Sequence, residues 1–226
     1  MAEERHPTLA RLMDALEGAR SVADIGCGSG ALAAALVKRG FDVIGVDPQA
    51  DLIAAARARV PQARFVAAPA EDMPLDEGVV DAAVILNALH HLPREAMDAG
   101  LSGALRIVRP GGRLAVIEPL ARGSFFRAMR PVDDETEIRA LALAALERLK
   151  ASGAAEPLLE ETYEVTTRFD DLAGFLDYLR GAEPERASRI AAMSEAVASA
   201  FSGNAVRDAD GFALTQPLSI RVFRRP

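Results

Sequence analysis

The sequence predicts a doubly wound α/β fold: a mainly parallel, Rossmann-like sheet of seven strands, with an antiparallel edge strand and a helical cap insertion. Three observations predict it. Strand and helix patterns alternate across residues 20–120. The apolar run Val80 to Leu86 has the unbroken hydrophobicity of a strand buried on both faces. A glycine loop, Gly26-Cys27-Gly28-Ser29-Gly30, stands where the first strand hands over to a helix.

Taken in order, Pro7 to Glu17 reads as an amphipathic helix and Ser21 to Ile25 as a short buried strand. Ala31 to Arg39 is an alanine- and leucine-rich helix, stopped by Gly40 because glycine accepts the left-handed backbone that ends a helix. Phe41 to Val46 is a strand, Asp51 to Arg59 a helix, and Arg64 to Ala67 and Val80 to Leu86 are strands three and four. Arg94 to Val108 is the next helix, closed by Arg109-Pro110-Gly111-Gly112 ahead of a fifth strand over Arg113 to Glu118. The rhythm breaks there. Ser124 to Lys150 holds helix-forming stretches divided by Pro131 and Asp133-Asp134-Glu135. Leu158 to Arg168 and Phe212 to Phe223 read as strands that pair antiparallel at one edge, with helices over Asp170 to Arg180 and Pro184 to Phe201. The expectation is one domain over 1–226, with its alternating core at 20–120 and cap elements at about 120–155 and 170–205.

The chain has 226 residues and a net charge of -7, which works against attraction to phosphate backbones or anionic lipid. A small-molecule partner is expected, not nucleic acid. Arg221, Arg224 and Arg225 form a basic cluster that reads as a solvated strand end. The single cysteine, Cys27, leaves no intramolecular disulfide and no Cys-x-x-Cys metal spacing, so no metal is expected and a reducing, cytoplasmic setting is. No signal-type leader or membrane span is expected either, and a homodimer stays open.

The glycines let a ligand approach the backbone closely. Asp47 ends the second strand, where a carboxylate can accept hydrogen bonds from both ribose hydroxyls of a nucleoside. Helix capping is its plainer role, although Pro48 and Asp51 already serve that start. Gly26-x-Gly28-x-x-Ala31 also satisfies the dinucleotide pattern, so a nicotinamide oxidoreductase remains open on this evidence. Neither Tyr163 nor Tyr178 has a lysine four residues on, so one common hydride-transfer pair is missing.

Val22 to Gly30, Gly45-Val46-Asp47, Ala70-Glu71-Asp72-Met73-Pro74-Leu75, Asn87-Ala88-Leu89-His90-His91-Leu92 and Arg109 to Leu114 together resemble the class I S-adenosylmethionine-dependent methyltransferases. The resemblance covers roughly residues 20–120 and is nearest to the ubiquinone- and menaquinone-methyltransferase-like branch that acts on small molecules. It implies S-adenosylmethionine as cofactor, S-adenosylhomocysteine as product, and an enzyme methylating a small molecule, which the Phe and Met residues after position 120 favour as partly apolar. By the same resemblance Gly26, Cys27 and Gly28 border the methionine part, with Gly30 completing the loop, and Asp24 helps hold its ammonium. Asp47, followed by Pro48, takes the ribose; Ala70, Glu71 and Asp72 flank adenine; Asn87 turns its carbonyl to the ammonium. Pro69 departs from the family, which often has Asp there, and shifts weight onto the Ala70 amide.

Methyl transfer mainly demands alignment and exclusion of water, so a catalytic side chain is optional. His91 and Glu118 are the candidate bases, His90 lying beside them in sequence order. Glu118 has an alternative structural role, pairing with Arg122 or Arg127. Phe125, Phe126, Met129, Met193 and Phe201 offer an apolar wall for the acceptor, or else an ordinary helix core. A non-catalytic S-adenosylmethionine-binding regulator is the second reading.

Overall fold

A computed structural model describes residues 6–182 and 186–226. Strands β1 (Ser21–Ile25), β2 (Asp42–Asp47), β3 (Arg64–Ala67), β4 (Val80–Leu86) and β5 (Val108–Pro119) follow the predicted alternation with helices α1 (Pro7–Ala15), α2 (Ala31–Val37), α3 (Ala50–Arg59) and α4 (Met97–Ile107). Beyond them lie α5 (Ser124–Met129), α6 (Thr136–Ser152), β6 (Glu156–Phe169), α7 (Leu172–Ala182), α8 (Arg186–Ala192), α9 (Ser194–Asn204), β7 (Val206–Asp208) and β8 (Gly211–Arg224). The sheet runs β3-β2-β1-β4-β5-β8-β6, and β7 pairs with β8 off this path. That makes eight strands among the described residues, the three-residue β7 being the one the sequence did not announce.

Parallel pairing of β1 with β2 and β4 aligns Ile25 with Val46 and Ile85, so these three strands end level with one another. The order reverses between β1 and β4, where successive loops diverge and an α/β sheet opens a crevice. β8 is antiparallel to β5: Gly111 N donates to Arg225 O at 2.8 Å, while Leu120 N donates to Pro217 O at 2.9 Å. It is antiparallel to β6 as well, since Glu156 meets Arg224 and Thr166 meets Thr215. The antiparallel strand therefore stands one place inside the edge, and β6 is the edge.

Pro110-Gly111-Gly112, read as a turn, lies within the longer β5. The register against β4 shifts between Val80 and Ala82, so the Pro-Gly-Gly residues are absorbed as an irregularity and the strand resumes at Arg113. The single helix expected over Pro184 to Phe201 is two, α8 and α9, interrupted at Met193; its expected start at Pro184 lies outside the described residues.

The chain divides into two compact units. The first holds residues up to Glu118 with Leu141–Glu161 and Ser219–Pro226, and the second holds Pro119–Ala140 with Thr162–Leu218. The boundary between Ala140 and Leu141 falls within α6. Its core gathers Phe125, Phe126, Met129, Phe169, Phe175 and Phe201, the rings of Phe125 and Phe169 meeting Phe175 edge-on at 5.7 and 5.3 Å. Four of the five expected acceptor-wall residues are thus buried in a helix core, and Met193 is exposed. The acidic Asp133-Asp134-Glu135 break carries a charge network: Glu135 pairs with buried Arg139 and Arg186, and Asp133 with Arg186 and Arg189.

In the first unit the basic cluster is ion-paired. Arg221 reaches Glu147 and Glu160, and Arg224 reaches Glu156. No described helix is long and apolar enough to cross a membrane.

Candidate functional site

The loop after β1 is built from the backbone outward. Gly26 N and Cys27 N both donate to Val46 O, at 2.8 and 3.1 Å, which folds the loop across the end of β2. Gly26, Gly28 and Gly30 have φ of 74°, 51° and 81°, left-handed values that favour glycine. A Cβ on Gly26 would strike the Cβ of Ala88, so the loops after β1 and β4 touch there. A Cβ on Gly28 would meet nothing within 4 Å, so the middle of the loop faces open space.

Asp47 is buried at the end of β2, its Oδ2 accepting from Gly28 N and its Oδ1 from Gln49 N, both at 2.9 Å. Each carboxylate oxygen keeps a second lone pair for another donor. Pro48 is exposed beside it. Asp24, one strand over, is 2 % exposed, and its Oδ2 has no hydrogen-bond partner. Burial pushes the Asp24 carboxyl up to about 7. A buried carboxylate oxygen without a donor is costly unless a cation or donor arrives, so the site is chemically incomplete as it stands.

The pH consequence has a definite sign. Between the ordinary carboxylate pKa of 3.8 and about 7, the folded chain holds the Asp24 proton that the unfolded chain releases. Stability from this group is full below the lower value and is lost as pH rises through the upper one. Asp24→Asn removes that loss. Thermal unfolding of the ligand-free chain at pH 8 is expected to show the variant melting a few degrees above the parent, with the gap closing at pH 4. An equal gap at both pH values would contradict this account.

Cys27 is buried in the same loop, and burial followed by the charges of Asp24 and Asp47 pushes its thiol up to about 12. It remains a protonated packing residue.

Asn87 closes β4 with φ 52°, the one positive value among the described non-glycine residues, and its amide donates to Ile117 O at 2.8 Å. A 3-10 turn, Leu89–His91, follows. Glu118 reaches it from β5 with its side chain at 0 % exposure. Its Oε1 accepts from Ala88 N at 3.1 Å and Leu89 N at 2.9 Å, and its Oε2 from His90 N at 3.3 Å and from His90 Nδ1 at 2.5 Å. His90, and neither Arg122 nor Arg127, is its side-chain partner. His91 is exposed, its ring centroid 4.1 Å from that of His90.

The third loop follows β3. Ala68 N donates to Asp47 O at 3.1 Å, and Asp72 N to Pro69 O at 3.2 Å, closing a turn that leaves Glu71 and Asp72 exposed and Ala70 buried. Among the described residues the Ala70 amide donates to no backbone carbonyl.

Asp24, the glycine loop, Asp47, the Ala70 turn and Asn87 thus lie at the same ends of four adjacent strands, around the point where strand order reverses. Residues 22–112 match a family model described as a methyltransferase domain. Over that stretch the chain is similar to a methyltransferase domain. An uncharacterized methyltransferase of Mycobacterium tuberculosis is 40 % identical over 100 residues, which are 44 % of this chain and 40 % of that protein. A demethylmenaquinone methyltransferase of Beutenbergia cavernae is 39 % identical over 109 residues, 47 % and 44 % of the two chains. The chain therefore spans less than half the length of these relatives.

Solved structures match the fold over most of the chain. A putative methyltransferase from Bacillus halodurans has a TM-score of 0.65 at 22 % identity, covering 96 % of this chain and 98 % of its own. A geranyl diphosphate C-methyltransferase from Streptomyces coelicolor, solved with Mg2+, geranyl-S-thiolodiphosphate and S-adenosyl-L-homocysteine, has a TM-score of 0.57 at 18 % identity, with 97 % and 75 % coverage. No cluster of three or more metal-binding side chains occurs among the described residues of the present chain.

Sequence reading missed the buried pairing of His90 with Glu118, because it joins residues 28 positions apart and only packing brings them together.

Proposed function

We propose that this chain transfers the methyl group of S-adenosylmethionine to a small, partly apolar acceptor. The observation that carries the reading is Asp24: a buried carboxylate oxygen without a partner, beside a glycine loop whose centre is open. An ammonium supplies what that oxygen lacks, and a nucleoside supplies hydroxyl donors for Asp47 one strand away. The domain match and the relatives' names support the same reading.

When bound, S-adenosylmethionine supplies an electrophilic sulfonium methyl group. The chain's part is to hold and orient. Gly26, Cys27, Gly28 and Gly30 would line the methionine part with Asp24 and the Asn87 carbonyl on its ammonium; Asp47 would take the ribose, with Pro48 shaping the turn. Ala70, Glu71 and Asp72 would flank the base. His91 would take a proton from an acceptor O–H, N–H or activated C–H, being the exposed imidazole of the pair. Glu118 would act through the 3-10 turn it anchors, since its oxygens already receive four donors.

The test is calorimetric titration of the full chain with S-adenosylhomocysteine, followed by radioactive methyl transfer from S-adenosylmethionine into the small-molecule fraction of a cell extract. Micromolar binding and label in an organic-extractable product are expected. Binding without transfer would instead favour a non-catalytic regulator, and binding of a nicotinamide cofactor in place of S-adenosylhomocysteine would favour an oxidoreductase.

A further inference from the structure

We propose that Arg106 is a positioning residue that sets recognition of the cofactor's base, an inference that rests on the cofactor reading above. Arg106 lies in the last turn of α4. Its Nη1 donates to Leu75 O at 2.6 Å and its Nη2 to Met73 O at 2.9 Å. The two bonds tie the far end of the Ala70–Leu75 segment to the helix. The Arg106 carbonyl is itself held, accepting from Gly78 N at 3.0 Å and from Arg225 Nη1 at 2.6 Å.

The near end of the segment is fixed by close approach. A Cβ on Gly103 would lie 2.6 Å from Ala70 O, and one on Gly100 would lie 3.4 Å from the Ala70 Cβ and 2.6 Å from Leu92 Cδ2. Glycine is unfavourable inside a helix compared with alanine, so two in one helix call for a packing cause, and this approach is one. The Ala70–Leu75 segment has neither helix nor strand pairing of its own. Its shape is imposed from α4, by a clamp at one end and a contact surface at the other.

The planar fork holds the two carbonyls on two separate nitrogens in a fixed geometry, whereas a lysine would have to bridge both from one rotatable ammonium. The consequence reaches the base: the main-chain and acidic groups of Ala70, Glu71 and Asp72 can tell an amino from an oxo substituent only if the turn is held still.

The experiment compares the affinity of S-adenosylhomocysteine with that of S-inosylhomocysteine, whose base is hypoxanthine, by calorimetry on the full chain. The variants are Arg106→Gln, Arg106→Lys and Gly103→Ala. Arg113→Gln serves as control, its guanidinium bonding the carbonyls of Asp14 and Ala15. The parent and the control are expected to favour the adenine compound. Arg106→Gln and Gly103→Ala are expected to lose about tenfold in affinity for it and to bring the two ligands to near equality, with Arg106→Lys intermediate. A role confined to stability would lower Tm and leave the ratio of affinities unchanged in both variants, and that result overturns the proposal. So does a parent chain that binds both compounds equally. A parent that binds neither overturns the cofactor reading first, which separates the two failures.

Discussion

Asp47→Ala is expected to weaken S-adenosylhomocysteine binding by roughly two orders of magnitude or more, at about 1.5–3 kcal/mol for each charge-assisted hydrogen bond lost. Two losses coincide. On the proposed reading the ribose hydroxyls would lose their acceptor, and the amides of Gly28 and Gln49 lose the carboxylate that holds them at 2.9 Å. A Cβ on Gly28 would meet nothing within 4 Å, so no packing on that side replaces the lost carboxylate, and on the proposed reading the loop that borders the methionine part would relax together with the ribose site. Asp47→Asn keeps one carbonyl acceptor and should fall between parent and alanine variant. Calorimetry with circular dichroism as a control for folding decides the matter: a folded Asp47→Ala chain binding within threefold of the parent would falsify the assignment.

Glu118→Ala should act on stability before it acts on chemistry. The carboxylate has no exposure and receives three backbone amides and an imidazole nitrogen, so its removal leaves four donors buried together. Breaking a buried pair of this kind costs about 3–5 kcal/mol, or roughly 6–20 °C in Tm for a chain of this length. Glu118→Gln retains one acceptor oxygen for the amides of Ala88 and Leu89 but turns a donor toward His90, and is expected to lose less. Thermal melts of both variants, set beside methyl-transfer rates, separate anchoring from base catalysis. A base would yield a glutamine variant that melts with the parent and turns over slowly; an anchor yields one that melts early. Parental Tm in both variants would rule the anchoring role out.

The alternation of the first 120 residues was legible because it rests on local pattern: Arg64–Ala67 and Val80–Leu86 fall on the expected residues, and β1 does too. Local pattern also misled, at the α8–α9 break and again within β5. Pro110-Gly111-Gly112 has the composition of a turn, yet sheet pairing on both sides carries the strand through it. The short β7 could not be read from Val206-Arg207-Asp208, whose side chains are all exposed and whose pairing with β8 comes from the chain's return. At the site, the glycines and Asp47 announce themselves through conformational and positional demands that the sequence displays. Glu118 does not, because whether a carboxylate at a strand end faces a ligand or a neighbouring turn is decided by packing. The phenylalanines after residue 120 show the same limit, since aromatic spacing marks a buried face without saying what it is buried against.

One feature of the sheet bears on how the chain reaches this state during synthesis. β8 follows β6 in sequence yet lies between β5 and β6. While β8 is still unmade, β5 presents an open flank of unpaired amides and carbonyls, and β6 has no neighbour to join. A nascent chain halted there exposes a ready template for strand exchange with another copy. The parallel core can form early, but its protection against self-association arrives only with the strand that is made last of the eight.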